Sequence, residues 1–198
     1  MKKLIAVFGV LLFSASAFAL NAEAQADEKC PGAAEFAKVA QQPNNYFIAQ
    51  HILINLADPL ETMDAKEAQE VVQCYASPEY NVKGQPLAAF VARESRNFRE
   101  TEANQLLAFA TRLTDARLAW INSRGTTDNV MEFILLNLAD PMKDLSDAQA
   151  APLAKVYSQV RVRNTSLVEF VNANSGGYPQ STSLEFDAFT NRIERLAK

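Results

Sequence analysis

Ile52-Leu53-Ile54-Asn55-Leu56-Ala57-Asp58-Pro59 returns 82 residues later as Ile134-Leu135-Leu136-Asn137-Leu138-Ala139-Asp140-Pro141, with seven of eight positions identical. Identity over that length, in a chain of ordinary composition, marks an internal repeat. The run Ile52 to Ile54 alone would also suit a buried strand, so a longer window decides. Ile48, Ile52 and Leu56 fall one helical turn apart, as do Val130, Ile134 and Leu138. Both copies read as a helix, apolar nearly all round and therefore central.

Asp58-Pro59 should end the first of these helices, because proline pushes the preceding residue out of the helical region and tolerates the first position of a new helix. Asp58 with Glu61 then has capping-box spacing, whereas the second copy has Lys143 in place of the glutamate.

Further matches extend the repeat outward. Ala68, Val71, Val72 and Tyr75 on one stripe are answered by Leu153, Val156, Tyr157 and Val160. Leu87, Phe90 and Val91 are answered by Leu167, Phe170 and Val171, and Leu106, Phe109 and Leu113 by Phe186, Phe189 and Ile193. The last set has the 3-4 spacing of a packed helix seam. The first copy of that helix is expected to run through Trp120 to Arg124 and stop at Gly125, joining the halves rigidly. Upstream, Phe36, Val39 and Ala40 share one face of a short helix, and Asn44 or Asn45 caps the next. No alternating run or Asn-Gly hairpin signals a strand. The expected fold is all-α: a tandem duplication of a roughly 80-residue, about four-helix unit, packed as one pseudo-twofold domain, with repeats over 27–117 and 118–198.

The N-terminus has the order of a secretory signal peptide: Lys2-Lys3, an apolar run from Leu4 to Phe13, then small residues. Cleavage after Ala24 or Ala26 fits, which assigns 1–26 to the signal and the remainder to the periplasm or the exterior. The remainder carries 17 basic against 22 acidic side chains, so it offers no electrostatic footprint for nucleic acid. No later stretch reaches the roughly 20 apolar residues of a membrane span.

Cys30 and Cys74 are the two cysteines, and an oxidising compartment makes a disulfide their default state. The bridge would close about 45 residues, contributing up to about 4 kcal/mol by chain entropy. Cys74 aligns with Val156, so the bridge belongs to the first copy alone and fastens the N-terminal segment to its helix.

The repeated polar pairs, Asn55 with Asp58 and Asn137 with Asp140, are read as structural, since a buried amide must find a partner such as a freed backbone end. The alternative reading has both pairs converging on a polar ligand or cation, although the spacing is not that of a calcium loop. His51, the single histidine, has no local catalytic partner and is read as packing or partly exposed. Arg93, Arg96 and Arg99 form a basic edge found in one copy only, which makes them the candidate partner-binding residues. Arg112 and Arg192 recur and are expected to brace the fold. Tyr75 and Tyr157 are read as core; Trp120, at the joint between the repeats, is core by default, with the floor of a groove as the alternative.

No catalytic, metal or cofactor motif is present in the sequence. The leading expectation is a non-enzymatic exported protein that engages a protein partner of inhibitor, immunity or adaptor type. The alternative is a carrier of an apolar small molecule in a cavity between the repeats. Behind both stands an enzyme with carboxylates converging from the two halves.

Overall fold

A computed structural model of the chain describes residues 30–198 and is predominantly helical. The expected signal peptide, 1–26, lies outside the described residues. Helix α1 spans Ala33–Ala40. Helix α2, Asn45–Ile52, starts where the Asn44 side chain accepts from the Tyr46 and Phe47 N–H groups at 3.0 and 3.4 Å. It does not stop at the Asp-Pro pair. The chain widens into a π turn over Leu53–Ala57, in which the Asp58 N–H donates to Leu53 O at 2.8 Å, then tightens into a 3-10 turn at Pro59–Glu61.

Proline has no N–H, and its ring crowds the carbonyl four residues back. A wider turn accommodates both effects without breaking the helix. Asp58 consequently keeps helical angles, φ −60° and ψ −45°, where pre-proline extension was expected. A residue held inside a helix cannot cap the next one, so the expected Asp58–Glu61 capping box does not form.

Helix α3, Ala65–Tyr75, is capped by Asp64, whose carboxylate accepts from Lys66 N and Glu67 N. Strands β1, Asn81–Val82, and β2, Gln85–Pro86, form a hairpin. Helix α4, Leu87–Glu94, and a 3-10 turn at Ser95–Asn97 lead to α5, Glu100–Arg124, which ends before Gly125 as the sequence indicates. The same order then recurs. Helix α6, Thr127–Ile134, enters a π turn at Leu135–Ala139, followed by α7, Asp140–Lys143, and α8, Asp147–Gln159. A second hairpin, β3 Arg161–Val162 with β4 Thr165–Ser166, precedes α9, Leu167–Asn174. A 3-10 turn at Ser175–Gly177 and α10, Gln180–Leu196, complete the chain.

The hairpins correct the strand-free expectation. In each, both central residues are left-handed: Lys83 and Gly84 at φ 53° and 77°, Arg163 and Asn164 at 51° and 69°. That is the two-residue turn matched to strand twist. Strands of two residues are too short for alternation to show in sequence.

Buried apolar side chains from both halves form one cluster. Across the halves, α4 and α5 pack on α8, and α5 also meets β3. There the Asp115 carboxylate accepts the Arg161 N–H at 2.9 Å, while burial pushes its pKa up against that bond. A twofold relation would require an equivalent contact of α9 on α3, and none of that extent is made among the described residues. Helix α3 is covered instead by the N-terminal segment. Phe36 of α1 stands edge-on to Tyr75 and Tyr80 at 5.6 and 5.8 Å, and the Tyr75 hydroxyl donates to Pro31 O at 2.6 Å. Cys30 and Cys74 stand at disulfide distance with Cα atoms 5.8 Å apart, which is compatible with an oxidising compartment. The bridge therefore fixes α1 over α3.

The expectation that the repeated octapeptide is central needs correction. Ile52, Leu53, Leu56 and Ala57 are buried, but Ile54 and Leu136 are each 55% exposed. The π turn rotates the following residues, leaving one apolar side chain of each copy in solvent. Among the described residues no helix is long and apolar enough to cross a membrane.

Arg192 braces the second half as expected. Its guanidinium donates to the carbonyls of Met142 and Lys143 in the last turn of α7 and of Leu145 just after it, and lies 3.1 Å from Asp147. Asp147, held also by Arg195, has its carboxyl pulled down to about 2. Arg112, the counterpart of Arg192, is exposed and makes no such bonds among the described residues.

Two stability measurements follow from this packing. Cys74→Ser should lower the urea midpoint, by up to about 4 kcal/mol in unfolding free energy, and reduction of the wild type should reproduce the loss. Arg192→Met should cost about 2 kcal/mol because several carbonyls lose a charged donor, whereas Arg112→Met should stay within about 0.5 kcal/mol.

Candidate functional site

Where α4 and the first hairpin face α6 and α8, the halves do not close completely. A cleft of about 380 Å³ remains, within the range of small-molecule sites. Its walls combine Leu87 of α4, Leu113 of α5, and Phe133 and Leu138 of α6 and its π turn. The geometry follows from the repeat: α8 must sit on α4 and α5 to bury Leu153 and Val156, which holds α6 away from the Tyr80 turn.

Two polar groups in this wall stand out. Arg117 of α5 is half-buried, and its loss of water lowers its pKa. Its guanidinium lies 4.7 Å from the Trp120 ring centre and 5.7 Å from that of Phe133, and it makes no hydrogen bond or ion pair among the described residues. Arg124 approaches the same indole at 4.6 Å, so Trp120 is held between cation contacts. Trp120 is 47% exposed, which corrects its reading as core: it borders a shallow groove with Val72, Gln73 and Arg117, beside the cleft.

Tyr157 of α8 is the second group. It is only 2% exposed, as its reading as core requires, yet its hydroxyl has no hydrogen-bond partner among the described residues. Its counterpart Tyr75, equally buried, donates to Pro31 O. Burial drives the Tyr157 phenol upward, so it stays protonated and remains a donor.

The residues singled out from sequence are distributed differently. Asn137 lines the cleft, but Asn55, Asp58 and Asp140 do not. Asn55 is exposed and donates to His51 O at 3.0 Å, with His51 Nδ1 at 3.1 Å. Asn137 likewise donates to Phe133 O at 3.1 Å, so in both copies the amide bonds the carbonyl four residues back, beside the π turn. Asp58 Oδ1 is buried without a partner, and burial, followed by the nearby Glu61 and Glu102 charges, raises its pKa.

Arg93 is half-buried and donates to Gln85 at 2.6 Å, while Arg96 and Arg99 are exposed. The Arg99 backbone N–H is received by Glu102 at the start of α5. Among the described residues, no group of three or more His, Cys, Asp or Glu side chains is placed to hold a metal ion.

The sequence reading allowed a cavity between the repeats but did not single out Arg117. One signal was available: Arg117 directly follows the apolar seam of α5, and the matching position in the second copy is Ala197. Neither a protein-family model, nor a curated protein, nor a solved structure matches the chain.

The two tyrosines make a paired prediction. Tyr75→Phe, which removes a made hydrogen bond, should cost about 1 kcal/mol in urea unfolding, whereas Tyr157→Phe should be neutral within about 0.5 kcal/mol. Equal losses would show that the Tyr157 hydroxyl has a structural partner.

Proposed function

We propose that the chain is an exported, non-enzymatic binding protein, formed by tandem duplication, that holds a small and largely apolar molecule between its halves. The cleft carries this reading: a concave site of about 380 Å³ with apolar walls and few polar groups suits a small ligand. The recurrence of the element order, down to the π turn at each Asn-Leu-Ala-Asp-Pro, supports duplication. The contact of α4 and α5 with α8 favours a two-repeat stack over an exchange about a twofold axis. Export is supported by the N-terminal sequence and by the cysteine pair.

A second reading, engagement of a protein partner, draws on a different face. Tyr46 and Phe47 of α2 and Ile54 of its π turn are exposed, with Tyr46 stacked on Phe98 at 4.8 Å. Exposed aromatic and aliphatic side chains of this kind are the usual material of an interface core. Arg96 and Arg99 remain free to contribute at its rim, with Arg93 held back by Gln85.

Native mass spectrometry of protein purified without a denaturing step discriminates the two. The cleft reading expects an added mass of a few hundred daltons, lost in Ala88→Trp, which fills the cleft from α4. A larger heterologous mass that survives Ala88→Trp and is lost in Phe47→Asp would favour the protein-partner reading.

A further inference from the structure

Resting on the reading of the cleft as a ligand site, we infer that it selects an amphipathic anion, with Arg117 and Tyr157 receiving the charged head and Leu87, Leu113, Phe133 and Leu138 the apolar body. Each part of this assignment has its own observation. Arg117 is a guanidinium with two aromatic faces against it and no acceptor among the described residues. A cation taken partly out of water gains most from an anion that enters the same low-dielectric space. Tyr157 adds a neutral donor, 98% buried, whose hydrogen-bonding capacity no protein group uses. Donors that no protein group satisfies are available to a ligand, and here two of them, Arg117 and Tyr157, line one cleft.

The counterpart positions show that this arrangement is not a by-product of the repeat. Tyr75 spends its hydroxyl on Pro31 O, and the residue matching Arg117 is Ala197. The donors therefore coincide only at the junction of the halves, where the cleft lies. Two donors, and no carboxylate among the cleft-lining residues, disfavour a cationic ligand on charge. The apolar walls disfavour a small hydrophilic anion, which would gain nothing from Leu87 and Leu138.

Calorimetric titration of the full chain at neutral pH with decanoate, decan-1-ol and decyltrimethylammonium tests the inference. Decanoate should bind about tenfold or more tightly than decanol, and the cation most weakly. Arg117→Gln and Tyr157→Phe should each weaken decanoate by about tenfold while leaving decanol unchanged. If Arg117→Gln fails to fold, Tyr157→Phe and the comparison of head groups on the wild type decide alone. Equal affinity for decanoate and decanol, both lost in Ala88→Trp, would overturn the head-group assignment and leave the apolar cleft standing. Failure of all three probes to bind would remove the cleft reading and this inference together.

Discussion

Burial of one face of α5 along most of its length is the constraint on which the remaining structure depends. Leu106, Phe109, Leu113 and Leu118 are essentially inaccessible along its 25 residues, a length of about 37 Å. It packs against α3 and α4 of the first half and against α8 and β3 of the second. Each fully buried Leu or Phe contributes about 1.5–3 kcal/mol by transfer from water. One helix thus supplies core to two units, neither of which would bury enough apolar surface by itself. Its uninterrupted run into Arg124 also sets where α6 begins.

Helix α8 of the second half is covered by α4 and α5. Among the described residues α3 is covered instead by the N-terminal segment, with α1 seated by Phe36 and tethered through Cys30. The cysteine pair has no counterpart in the second half, where Val156 stands at the position of Cys74 and is buried. The bridge thus serves the helix that the other half does not cover.

The proline in each repeated octapeptide acts locally, and its effect extends further. By forcing a π turn it directs Ile54 and Leu136 outward and leaves the Asn55 and Asn137 amides to bond the carbonyls of His51 and Phe133. In the second copy that backbone forms one wall of the cleft, with Phe133, Asn137 and Leu138 all facing it. Octapeptides identical at seven of eight positions thus line a cleft in the second copy and not in the first, where His51 stands in place of Phe133.

Periodicity and self-similarity determined the helices, the α5 run to Gly125, an asparagine cap before α2 and the pairing of Cys30 with Cys74, because each is governed by interactions a few residues apart or by a choice between two thiols. They also placed Tyr75 and Tyr157 in the interior. Sequence could not reveal that a helix passes through Asp-Pro by widening, since that depends on whether packing rewards continuation more than the turn costs. Nor could it distinguish the two tyrosines: one hydroxyl meets Pro31 and the other meets a cleft, and only the stacking of the halves decides which. Arg117 became notable for the same reason. A lone arginine on a helix is unremarkable until tertiary packing surrounds it with Trp120 and Phe133 and brings no acceptor near it.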